Sequence, residues 1–109
     1  MTKRDIRRRH TRVSVNWRAV LLIALLRIPV DIIDISEGGA RIRSSDQLPD
    51  AKSAILIVDR VGSLDAEVVW TRAKLSGLRF TEANAATLLK PLIEIERSKV
   101  IRFGRKEES

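Results

Sequence analysis

The chain has 109 residues, no cysteine and a formal net charge of +7. This length suits one compact domain, and the lack of cysteine excludes disulfides, thiolate metal sites and thiol nucleophiles. Most of the net charge lies in the first twelve residues, which hold six basic residues and one acidic residue, so the charge predicts one discrete anionic partner rather than a long polyanion.

The most apolar stretch covers residues 19–26. Its length is less than half of the roughly twenty residues that a membrane-spanning helix needs. The basic start of the chain is not followed by a long apolar run with a small-residue cleavage site. We therefore expect a cytoplasmic protein without membrane insertion.

Six short apolar runs follow the basic start. In the first run Val13, Val15 and Trp17 alternate with polar residues, which puts the three apolar side chains on one face of a sheet. The connections are too short for crossover helices, so the runs predict an all-β fold, a small antiparallel six-stranded barrel, rather than a parallel α/β fold. The predicted strands cover residues 12–23, 28–34, 40–44, 53–59, 64–70 and 77–80.

The pattern changes to that of a helix after the sixth run. Asn84 is a favourable N-cap, and the apolar residues after it recur at helical spacing, although Pro91 must kink the helix or begin a new turn. Apolar and acidic residues alternate over residues 93–96 as in a strand, so a short seventh strand is an alternative there. We predict the helix. The predicted organisation is a basic arm over 1–12, the barrel over 13–81, and a C-terminal helix with a charged tail over 82–109.

The first candidate site is the basic segment ahead of the first strand, Arg8-Arg9-His10-Thr11-Arg12. If the segment is extended, Arg8 and Arg12 lie on the same side of the chain and can close over a ligand from one direction. The planar guanidinium group bonds two acceptors at once, which suits phosphate oxygens and one edge of guanine. A solvated basic tail without a partner is the alternative interpretation.

The second candidate site covers residues 34–39, between the second and third predicted strands. As a hairpin alone, Asp34 and Ser36 would bond nearby backbone, while Gly38 and Gly39 would supply a turn with positive φ. As a ligand site, the Asp34 carboxylate and the Ser36 hydroxyl would face a purine base, and the glycines would let it approach the backbone. Taken alone, the segment favours the hairpin.

Together the two segments resemble the motifs of the PilZ family. Members carry RRxxR just before the first strand and (D/N)xSxxG between two later strands. The resemblance extends from about residue 7 to residue 80 and implies a six-stranded barrel with a C-terminal helix, in agreement with the strand pattern. The residues that match the motifs are Arg8, Arg9 and Arg12, followed by Asp34, Ser36 and Gly39.

The resemblance implies that the chain binds cyclic di-GMP, a bacterial second messenger. Arg8 and Arg12 would form the main clamp with Arg9 as an accessory contact, and Arg7 would be a further accessory residue if a pair of ligands binds. The barrel would contribute guanine recognition through Asp34 and Ser36, with close backbone approach at Gly38 and Gly39.

The expected function is that of a single-domain receptor that passes the signal to an unidentified downstream protein. No catalytic triad, zinc spacing, phosphate-binding loop or dinucleotide fingerprint occurs in the sequence, so we predict neither an enzyme nor a bound metal or cofactor. The sequence is compatible with a monomer or a homodimer. Trp17 and Trp70 fall in strands with apolar alternation, and we predict that both pack in the core.

Two other functions are compatible with parts of the sequence. A PilZ-type adaptor would act through protein contacts without a ligand, but such members usually lack part of the motif set, which is intact in this chain. A small basic barrel could also bind RNA or single-stranded DNA. The four aromatic residues of the chain are too few for a base-stacking platform, which disfavours a nucleic acid polymer as the partner.

Overall fold

Six strands and one helix make up the described part of the structure. The structure, a computed structural model, describes the backbone of residues 12–108 and the side chains of residues 12–99. The elements are β1 (Val13–Ile23), β2 (Leu26–Ile35), β3 (Gly39–Ser44), β4 (Ser53–Val58), β5 (Gly62–Arg72), β6 (Leu75–Phe80) and α1 (Ala85–Glu108). The predicted fold class is confirmed.

The strands form a closed antiparallel barrel in the order β1-β2-β3-β6-β5-β4. Sequence neighbours pair as hairpins, except that β4 follows β3 through the loop over residues 45–52 and pairs with β1 instead. The β3–β6 and β1–β4 pairings close the barrel. Each of the six strands therefore has a hydrogen-bonded neighbour on both sides.

The barrel interior is filled by every second residue of the strands. Leu21, Ile32, Ile42, Leu56 and Leu64 are fully buried, and each comes from a different strand. Their neighbours in sequence are more exposed, as the two-residue period of a strand requires. The alternation of apolar residues in the sequence is thus the pattern that forms the core.

The helix α1 packs against β1 through one stripe of side chains. Ala85, Leu89 and Ile93 are buried at a spacing of four residues, which places them on the same side of the helix. The first helical hydrogen bond runs from the Leu88 amide to the Asn84 carbonyl, as expected for an N-cap at Asn84. The alternative of a strand over 93–96 is wrong, because those residues lie within the helix.

Candidate ligand-binding site

Asp34 lies near the end of β2, between Ser14 of β1 and Arg41 of β3. The register between β2 and β3 shifts between Ile32 and Asp34, so that Ile33 is an extra residue in β2. Regular alternation would point Asp34 inward like Ile32. The bulge instead puts Asp34 on the outer face of the barrel with its cross-strand partner Arg41, an effect typical of bulges next to functional sites.

Two arginines bind the Asp34 carboxylate from opposite sides. Arg12 Nη1 donates to Oδ1 at 2.8 Å, and Arg41 Nε donates to Oδ2 at 2.6 Å, with Arg41 Nη2 at 2.5 Å from the same oxygen. The Asp34 side chain is 6% exposed, whereas Arg12 and Arg41 are 49% and 46% exposed. A carboxylate this far removed from water needs such partners to remain charged.

Arg41 keeps its charge at any ordinary pH. Its hydrogen bond to Asp34, and then the negative charge of that carboxylate, raise the pKa of Arg41 above its usual value, against a small lowering by burial. Two guanidinium groups and one carboxylate leave the cluster with a net positive charge. The outer face around Asp34 can therefore attract an anion while it offers a carboxylate to hydrogen-bond donors.

Ser36 shapes the loop that follows Asp34. Its amide donates to the Gly39 carbonyl at 2.8 Å, and its side-chain oxygen accepts from the Gly38 amide at 3.2 Å. The Ser36 hydroxyl also lies 3.4 Å from the Gly39 carbonyl oxygen. The residue is 3% exposed, so its hydroxyl is engaged within the loop itself.

The two glycines of the motif, Gly38 and Gly39, were predicted to supply a turn with positive φ. That prediction is wrong, since neither Gly38 nor Gly39 has positive φ. A Cβ on Gly39 would lie less than 3.0 Å from the carbonyl oxygen of Leu78 on β6, so only glycine allows this strand approach. The Gly38 carbonyl accepts from the Phe80 amide at 2.9 Å, which ties the loop to β6.

Trp70 lies on the outer face and not in the core, so its predicted burial is wrong. The indole covers Gly77, where a Cβ would overlap the ring, and the residue is 39% exposed. Gly77 pairs with Trp70 on one side and with Arg41 on the other, so the aromatic ring belongs to the same cross-strand row as Arg41 and Asp34. Trp17, by contrast, packs against the core as predicted.

The structure brings Arg12, from the first motif, to Asp34, from the second. Arg7, Arg8 and Arg9 lie outside the described residues. Arg41 and Trp70 are the residues of this face that the sequence did not single out as site residues. The remaining members of the second motif, Ser36, Gly38 and Gly39, form the adjoining loop.

Two features are absent from the described residues. No helix there is long and apolar enough to cross a membrane. Among the same residues, no three acidic, histidine or cysteine side chains come together as a metal site would require. The candidate site consists of arginines, a carboxylate, a serine, an aromatic ring and backbone.

Comparisons with known proteins agree with this architecture. The family model for the PilZ domain matches residues 6–95. The chain is similar in structure to the PilZ domain, with cyclic di-GMP, of YcgR from Escherichia coli, with a TM-score of 0.70 and 15% identity over 92% of this chain and 98% of that one. It is also similar to an uncharacterized Legionella protein, with a TM-score of 0.50 and 19% identity over 89% and 99%. No curated protein sequence matches.

Proposed function

This chain belongs to the PilZ domain family, and from that premise we propose that it is a receptor for cyclic di-GMP, a binding protein and not an enzyme. The observation that carries the proposal is the contact between Arg12 and Asp34 at 2.8 Å. The two residues come from separate motifs, 22 positions apart in sequence. Their meeting on the outer face supports one composite site. The YcgR domain with a similar fold carries the same ligand.

Asp34 is suited to recognise guanine. The Watson–Crick edge of guanine presents a ring N–H beside an exocyclic amino group, and an ionised carboxylate is a pure acceptor that can take both. Adenine has an acceptor at the ring position, which a carboxylate would repel. The carboxylate therefore favours guanine over adenine.

The arginines supply the complementary part of the site. Arg8 and Arg12, with Arg9 as an accessory and Arg7 as a further candidate, bind the phosphates through charge-assisted hydrogen bonds. In the structure Arg12 is paired with Asp34. Binding exchanges that internal pair for two contacts with the ligand, Arg12 to a phosphate and Asp34 to a base.

Residues 1–12 act in this scheme as an arm that closes over the ligand against the barrel of residues 13–81. The Ser36 loop, with Gly38 and Gly39, forms the floor beside Asp34. A downstream protein then reads the surface made by arm, ligand and barrel. The cytoplasmic location and the existence of a downstream protein stay predictions, and the sequence leaves a homodimer as one possibility.

Isothermal titration with cyclic di-GMP tests the proposal. Arg12→Ala and Asp34→Ala should each weaken binding by about tenfold or more, because each removes a charge-assisted hydrogen bond. Arg27→Ala is the matched control: it removes one exposed arginine at the far end of β2 and should bind as the parent does. Circular dichroism checks that every variant is folded.

Two outcomes would overturn the receptor function. The first is a folded parent that gives no heat with cyclic di-GMP at tens of micromolar, which would favour the ligand-free adaptor. The second is that both site variants bind cyclic di-GMP as well as the parent. A labelled oligonucleotide retained more tightly than cyclic di-GMP would favour nucleic acid binding instead.

A further inference from the structure

We propose that Arg41, which belongs to neither motif, positions the Asp34 carboxylate for guanine and thereby sets the base specificity of the site. This inference rests on the proposed function, since it concerns how the same site recognises its ligand. Arg41 acts through Asp34 and is a positioning residue. Three observations carry the inference: the division of the Asp34 oxygens, the burial of the carboxylate, and the position of Arg41 within the barrel.

The two arginines divide the carboxylate between them. Arg41 directs both Nε and Nη2 at Oδ2, while Arg12 takes Oδ1. The two arginines therefore engage different oxygens of the carboxylate, so that Arg41 occupies Oδ2 and leaves Oδ1 to Arg12. When Arg12 turns to a phosphate, Oδ1 becomes the acceptor for guanine. Arg41 thus decides which oxygen is offered.

Burial makes this partner necessary. Asp34 is 6% exposed, and an isolated carboxylate in that environment is strongly disfavoured in its charged form. The exchange of Arg12 for a ligand would leave the carboxylate unpaired for an interval if Arg12 were its sole partner. Arg41 keeps it paired throughout, because its guanidinium stays charged and attached to Oδ2.

The two arginines differ in how firmly the fold holds them. Arg41 lies inside β3, in register with Asp34 on one side and Gly77 on the other, within a closed barrel. Arg12 precedes the first residue of β1. The bulge at Ile33 turns Asp34 toward the face of Arg41. The barrel therefore fixes the Arg41 pair, while the Arg12 pair is the one that a ligand exchanges.

Loss of Arg41 has a defined consequence for recognition. Both oxygens of Asp34 would become available to Arg12, whose planar fork pairs with both oxygens of a carboxylate at once. The guanine would then compete with a bidentate internal pair and meet a carboxylate without a fixed orientation. Affinity for guanine should fall more than affinity for a base that makes fewer hydrogen bonds to Asp34.

The test compares cyclic di-GMP with cyclic di-IMP, whose hypoxanthine base lacks the exocyclic amino group of guanine. The parent should prefer cyclic di-GMP by about tenfold, the worth of one hydrogen bond to a charged group. Arg41→Ala should lower this preference to less than about threefold, within the range of a weak neutral hydrogen bond. Arg43→Ala is the matched control, because Arg43 is exposed on the same face of β3 with Asp31 as its register partner.

Arg43→Ala should weaken both ligands by the same factor and keep the parent preference. Arg41→Lys should restore part of the preference, since one ammonium group can still hold Oδ2. If Arg41→Ala fails to fold, the preference for cyclic di-GMP over cyclic di-IMP is measured on Arg41→Lys instead. The preference of Arg41→Lys must then be smaller than that of the parent. A parent that binds cyclic di-GMP while both Arg41 variants keep its full preference overturns the positioning role alone. A parent that binds neither ligand overturns the proposed function, and this inference with it.

Discussion

Gly39 and Gly77 form a matched pair, because an added methyl group would overlap a neighbouring atom at either position. At Gly39 the neighbour is the backbone carbonyl of Leu78, whereas at Gly77 it is the indole of Trp70. Alanine at Gly39 must displace one of two paired strands in a closed barrel. Alanine at Gly77 has only to move a half-exposed side chain. We therefore predict that Gly39→Ala destabilises the barrel and Gly77→Ala does not.

The expected magnitudes follow from these neighbours. Overpacking against a backbone atom costs up to about 3 kcal/mol, and the smaller freedom of unfolded alanine offsets up to about 1 kcal/mol of it. Gly39→Ala should thus lose about 2 kcal/mol and about 10 °C in Tm for a domain of this size. For Gly77→Ala, the lost contact of the indole and the gain from alanine nearly cancel, and Tm should change by less than about 4 °C.

Thermal unfolding followed by circular dichroism measures both variants. A Trp17→Phe background leaves Trp70 as the sole tryptophan, and its emission should shift to longer wavelength in Gly77→Ala as the ring moves into water. Unfolding of Gly39→Ala at the temperature of the parent would refute the predicted overlap, and so would a Gly77→Ala variant that is less stable than Gly39→Ala.

Two further predictions concern the site. In the same Trp17→Phe background, cyclic di-GMP should change the Trp70 emission, because the ring shares a cross-strand row with Asp34; an unchanged spectrum at saturation would place the ligand elsewhere. The second prediction concerns pH. The pKa of Arg41 is raised in the folded protein, so its stabilising charge is fully present at every pH below the pKa of the unfolded state and is lost only above the raised pKa of the folded state. The Arg41→Ala effect on affinity should therefore be constant between about pH 6 and 9, as titration at several pH values would show.

The strands and the helix could be predicted because local patterns determine them. Apolar side chains alternate along β1, and the buried stripe of α1 repeats at helical spacing. Strand ends are less well predicted: the fifth strand is predicted over residues 64–70, but β5 already begins at Gly62, since the turn is completed over residues 59–61. Gly62 still has the positive φ that its type suggests.

The arrangement of the site could be predicted only in part. The resemblance paired Arg12 with Asp34 as members of one site, and the structure brings them into contact. The bulge at Ile33 depends on how β2 pairs with β3, so no local pattern reveals that Asp34 faces outward with Arg41. Trp70 was misplaced for a similar reason. The position of the Trp70 ring depends on Gly77, its pairing partner on the neighbouring strand β6, and this partner is not adjacent to Trp70 in sequence.

The closed barrel has a consequence for how a bound ligand could be detected. A strand with hydrogen-bonded neighbours on both sides cannot slide by one residue without turning its inward side chains outward. We therefore expect the strands to keep the same positions in the free and bound protein. Any difference between the free and the bound protein must then lie in the segments attached to the barrel. Two of these segments meet at β1, because Arg12 precedes this strand and α1 packs against it. One strand thus supports both the segment that meets the ligand and the helix, and a protein that contacts both would sense their relative position against an unchanging frame.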